Sequence, residues 1–127
     1  MKFATGPAAR PRTPVLRWMS VILRGAHLFA VIGLGASLLG APLAAHEQAA
    51  WLLATGVAIL AFDLWARPGL LWEWSGIALV LKLGVVVWMA GDAAWRGPLY
   101  WLIVAWSVLF AHAPASFRHA RWWPGDR

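Results

Sequence analysis

The stretch LVLKLGVVVW, residues 79–88, places a single lysine, Lys82, among uncharged residues. It belongs to a longer apolar run, residues 72–90, that is long enough to cross a bilayer as a helix. A charged side chain at the centre of such a helix costs ~2.5–3.5 kcal/mol on membrane-insertion scales. Lys82 therefore needs a partner or a use within the protein, and its side chain is expected to face other helices.

The composition of the whole chain favours the same environment. The chain has 127 residues, enough for one domain, of which 61% are hydrophobic and 13% charged, whereas soluble chains have ~25% charged residues. It contains 11 tryptophans, and indole rings favour the membrane–water boundary. There is no cysteine, which excludes disulfides, thiolate metal sites and a covalently attached c-type haem.

The apolar runs predict an all-α integral membrane protein, an up-down four-helix bundle. Each run is near the ~20 residues that a membrane-spanning helix needs, and the connections are short enough to make neighbouring helices antiparallel. We predict helices at about 18–45, 48–66, 72–90 and 98–116, within a domain covering residues 15–118. Residues 1–14 are predicted to form a disordered cytoplasmic tail and residues 119–127 a second cytoplasmic tail.

Charged and aromatic residues predict the orientation. Basic residues concentrate in the tails and the middle loop, which places both termini in the cytoplasm and argues against a nucleic-acid partner. These residues are Lys2, Arg10, Arg12, Arg17, Arg67, Arg118, Arg121 and Arg127. Tryptophans are expected at the cytoplasmic boundary at Trp18, Trp65, Trp72, Trp74, Trp122 and Trp123, and at the outer boundary at Trp51, Trp88, Trp95 and Trp101.

Five ionisable residues lie within or at the ends of the predicted spans: Arg24, His27, Asp63, Lys82 and His112. From the ~1.5 Å rise per residue, His27, Asp63 and His112 are expected at similar depth, with Lys82 one to two turns deeper. Opposite charge at matching depth predicts a structural ion pair between Arg24 and Asp63.

Short motifs in three of the helices resemble known families. The segments LRGAHLFAVIGLG, LLATGVAIL and LVLKLGVVV resemble the copper-resistance D family of bacterial inner-membrane proteins, over about residues 23–89. The order of histidine and lysine also resembles the HemJ-type haem-associated membrane proteins. That resemblance implies a functional pair at His27 and Lys82, and a multi-pass location in the bacterial inner membrane.

Several functions remain open on the sequence. In one, the bundle binds b-type haem or porphyrin through His27 and His112, with Arg24 and Lys82 receiving the propionates. In a metal-binding variant of this hypothesis the same two histidines bind copper, with Met89 or Met19 as a further ligand.

In another hypothesis the protein is a non-catalytic accessory or structural subunit, in which Lys82 pairs with Asp63 to fix helix packing. A small-molecule transporter is a third alternative. Hydrolase motifs and phosphate-binding glycine loops are absent from the sequence, so no enzymatic activity is assigned. The expected partners are the lipid bilayer and either other membrane subunits or further copies of the chain.

Overall fold

The computed structural model describes residue 11, residues 13–118 and residue 120, and this part of the chain is helical with no β-strand. Its elements are α1 (Pro14–Leu38), α2 (Ala45–Ala66), a 3-10 helix (Pro68–Trp72), α3 (Trp74–Gly91), α4 (Ala93–Ala111) and α5 (Ala115–Arg118). Most of the predicted tails, together with Trp122 and Trp123, lies outside the described residues.

Helix α1 begins earlier than the apolar run suggested because its N-terminus is capped. The Thr13 hydroxyl oxygen accepts a hydrogen bond from the Leu16 amide at 3.3 Å. Pro14 occupies the first turn, where its missing N–H costs nothing. The helix therefore starts at Pro14, at the end of the segment predicted to be a disordered tail.

Helix α1 also ends before the predicted limit at residue 45. Gly40 adopts a left-handed backbone with φ of 102°, and the Ala41 amide donates back to the Ala36 carbonyl at 2.9 Å. This is a Schellman ending, which needs a residue that tolerates positive φ just beyond the helix. The apolar composition continues past this point, so hydropathy alone extended the helix too far.

The predicted turn before helix 4 is mostly helical. Asp92 alone separates α3 from α4, and its side chain accepts a hydrogen bond from the Ala94 amide at 3.0 Å. Arg96 donates to the carbonyls of Met89 at 3.1 Å and Ala90 at 3.2 Å, so a cation satisfies the end of α3. Helix α4 therefore starts at residue 93 instead of 98, and it ends at residue 111 instead of 116.

Helices α1, α2 and α3 are each long and apolar enough to cross a membrane, and to that extent the prediction is confirmed. The described tryptophans of both predicted belts are exposed, as is expected of indoles that meet lipid headgroups: Trp18, Trp51, Trp65, Trp72, Trp74, Trp88, Trp95 and Trp101.

The helices pack tightly in one half of the molecule, which contains the α1–α2 and α3–α4 connections. Gly33 and Gly35 of α1 leave room there for the side chains of Gln48 and Tyr100, and an added Cβ at either glycine would overlap them. The buried core of this half consists of Ala30, Leu34, Ala49, Leu52, Val86, Met89, Leu99 and Tyr100. The opposite half, where α1 and α3 begin and α2 and α4 end, holds most of the polar side chains of the interior.

Candidate functional site

A cavity of about 500 Å³ lies between the four long helices. Four of its lining residues, Leu52, Val86, Met89 and Tyr100, are buried in the packed half and form its apolar end. The rest of the lining extends toward the polar half and consists of Arg24, His27, Val31, Gly56, Ile59, Leu60, Asp63, Leu79, Lys82, Leu83, Ile103, Val104, Ser107 and Val108. The volume lies within the ~300–1,000 Å³ typical of ligand pockets.

The hydrogen bonds of Thr55 determine which nitrogen of His27 carries the proton when the ring is neutral. The Thr55 hydroxyl lies 2.8 Å from the Trp51 carbonyl and 3.1 Å from the Leu52 carbonyl, so its one proton is donated to the backbone. Its oxygen is then the acceptor for His27 Nδ1–H, at 2.9 Å. The Nε2 lone pair of His27 has no partner among the described residues and is free to bind a ligand.

Arg24 and Asp63 form the ion pair that the sequence suggested. Arg24 Nη2 lies 3.1 Å from Asp63 Oδ2 and 3.2 Å from Oδ1, and Arg24 Nη1 contacts the Ser20 hydroxyl. The side chain of Arg24 is 50% exposed, whereas that of Asp63 is 15% exposed. The pair joins α1 to α2 at the polar end of the cavity, and it occupies the one carboxylate among the described residues that line the cavity.

Lys82 has no ion-pair partner within residues 13–118. The other ion pair of this part of the chain, Arg67 with Glu73 at 2.8 Å, lies outside the cavity beside the 3-10 helix. Lys82 Nζ lies 5.7 Å from the centre of the Phe110 ring, a cation–π contact that does not neutralise its charge. The pairing of Lys82 with Asp63, expected under the structural hypothesis, is absent because Asp63 contacts Arg24.

His112 does not join His27 in the cavity. It follows the last residue of α4, is exposed, and its Nδ1 donates to the Val108 carbonyl of its own helix at 2.8 Å. Across the described ranges, no three His, Cys, Asp or Glu residues lie close enough to hold a metal ion. Of the two methionines considered for copper, Met89 lines the cavity, while Met19 is 46% exposed and does not.

Sequence reasoning missed Tyr100, Thr55 and Ser107. The Tyr100 hydroxyl donates to the Val31 carbonyl at 2.9 Å and joins α4 to α1. Ser107 lines the cavity and has no hydrogen-bond partner among the described residues. Neutral hydroxyl residues are common in membrane helices, so composition does not distinguish those that face the interior from those that face lipid.

Comparison with family models, curated proteins and solved structures finds no match to this chain. The resemblance to the copper-resistance D and HemJ-type families therefore stays a prediction from the quoted motifs. The interpretation of the cavity accordingly depends on its own geometry.

The distribution of charge predicts different effects for the two cations that line the cavity. Arg24→Gln leaves the Asp63 carboxylate without its partner, and thermal unfolding in detergent should show a loss on the order of 1 kcal/mol, modest because Arg24 is half-exposed. Adding Asp63→Asn should restore stability.

Lys82→Met removes an unneutralised charge, so the ligand-free protein should be as stable as the unmodified protein or more so. A loss in Lys82→Met equal to that in Arg24→Gln would contradict this assignment.

Proposed function

We propose that this chain is a multi-pass membrane protein that binds b-type haem or a related porphyrin in the cavity between its helices. The observation that carries the proposal is Lys82, a cation that lines an otherwise mostly apolar cavity and has no ion-pair partner among the residues that the structure describes. Ionisable residues in membrane interiors face a bundle or cavity and find a counter-charge there. A carboxylate of the ligand would supply that charge.

His27 supports a haem more specifically than other acidic ligands. Haem iron binds neutral imidazole, and a hydrogen bond at the other ring nitrogen orients such a ligand. Thr55 accepts from His27 Nδ1–H, so Nε2 is left to bind iron. A bound haem would supply a one-electron redox centre inside the membrane.

The two ends of the cavity suit different parts of a porphyrin. The apolar end, with Leu52, Val86 and Met89, suits the hydrocarbon face of a porphyrin, and Lys82 suits a propionate. Arg24 is already paired with Asp63 and holds two helices together, so it is a weaker candidate for the second propionate. Since His27 is the one histidine among the described lining residues, the proposal is for a single protein ligand to iron.

The proposal includes an orientation. The proposed protein has four spans, with α4 as the fourth, in the bacterial inner membrane. The basic residues of the tails, together with Arg67, support placing both ends of the bundle domain on the cytoplasmic side. A reporter enzyme that is active only in the cytoplasm should therefore be active when it is fused after Arg127. Activity of a periplasmic reporter at that position would contradict the orientation.

The haem proposal predicts different results for three histidine substitutions. After reconstitution with hemin, His27→Ala should lose the Soret band and the reduced-minus-oxidised signal of the detergent-purified protein, because the iron ligand is gone. His46→Ala and His112→Ala are matched controls, since both histidines are exposed and outside the cavity. Both should keep the spectrum. Full haem binding by His27→Ala, or its loss only in a control, would contradict the proposed ligand.

A further inference from the structure

The cavity is exposed at one edge, and the exposed residues identify which edge. Every lining residue is buried or half-buried except Arg24 on α1 and Val108 on α4. The Arg24 side chain is 50% exposed and Val108 is 53% exposed. We call these two residues the rim. They place the opening of the cavity between α1 and α4, in the half of the bundle where α1 begins and α4 ends.

The packing of the helices explains why the opening lies there. Helix α1 packs along α2, α2 along α3 and α3 along α4, whereas α1 and α4 make little backbone contact. Among the described residues, the hydrogen bond that joins α4 to α1 is donated by the Tyr100 hydroxyl to the Val31 carbonyl, in the packed half of the molecule. Between that bond and the rim, the described residues form no further hydrogen bond between α1 and α4, and the exposed lining residues place the opening at this side of the cavity.

Exposed apolar side chains lie beside the rim on both helices. Leu28 on α1 is 57% exposed and Leu109 on α4 is 74% exposed, and each lies close to the rim in sequence. Large exposed apolar side chains on membrane-spanning helices face lipid tails. An opening flanked by such residues joins the cavity to the hydrocarbon of the bilayer, and Arg24 marks its polar edge.

We infer that the cavity is filled sideways from the membrane, through the gap between α1 and α4, by an amphiphile dissolved in the lipid. This inference rests on the proposed function in taking the cavity as a ligand site, but it does not depend on the ligand being haem. The acidic group of the amphiphile passes Arg24 at the rim and comes to Lys82, while its apolar body occupies the end lined by Val86 and Met89.

A lipid-phase carbene reagent tests the entrance without a cognate ligand. In phosphatidylcholine vesicles, a hydrophobic aryl diazirine should label Leu83 and Val86, which line the cavity, as read by mass spectrometry. Val108→Trp places a bulky ring at the rim and should lower this labelling by roughly tenfold. Val80→Trp is the matched control, because Val80 is 43% exposed and does not line the cavity. It should leave the labelling unchanged.

Three results would overturn the inference. These are equal labelling in Val108→Trp and the unmodified protein, labelling of Leu83 and Val86 only by a water-soluble diazirine, and no labelling by either reagent. The hemin spectrum of the same variants keeps the two proposals distinguishable. If the protein binds no hemin but Val108→Trp lowers the labelling, the entrance proposal stands and the haem proposal is wrong. If the protein binds hemin but Val108→Trp does not lower the labelling, the haem proposal stands and the entrance proposal is wrong.

Discussion

Among the described residues that line the cavity, two cations share one carboxylate, that of Asp63. Asp63 pairs with Arg24 at 3.1 Å, and Lys82, which lies 5.7 Å from the centre of the Phe110 ring, has no ion-pair partner in this part of the chain. In water this imbalance would matter little, but in a membrane interior an unneutralised charge is costly. The Arg24–Asp63 pair joins α1 to α2 and so fixes the polar end of the bundle. Under the proposed function, Lys82 finds its counter-charge in an acidic group of the ligand.

The two halves of the bundle differ in packing, and Tyr100 belongs to the packed half. In the packed half, small residues of α1 admit neighbouring side chains, and the Tyr100 hydroxyl joins α4 to Val31. Helix α1 packs along α2, α2 along α3 and α3 along α4, whereas α1 and α4 make little backbone contact. Under the proposed entry route, a ligand passes between α1 and α4 without requiring the helices to separate along their whole length.

The sequence predicted the helices and part of the site, for physical reasons that also explain the misses. Hydropathy located the apolar helices, and depth along the helix axis brought Arg24 to Asp63. Depth does not specify the direction in which a side chain points, so His112 was expected beside His27, yet it follows the end of α4 and bonds to its own helix. The apolar composition also continues beyond Gly40, so the first helix was predicted too long, whereas the left-handed backbone of Gly40 ends α1.

The central claim is that Lys82 binds an acidic group of the cavity ligand, and the affinities for hemin and for its dimethyl ester test it most directly. The ester keeps the porphyrin and the iron but removes both carboxylates. In the unmodified protein hemin should bind at least about tenfold more tightly than the ester, as expected for a charge-assisted contact. In Lys82→Met this preference should largely disappear. An equal preference for hemin in both proteins would contradict the account.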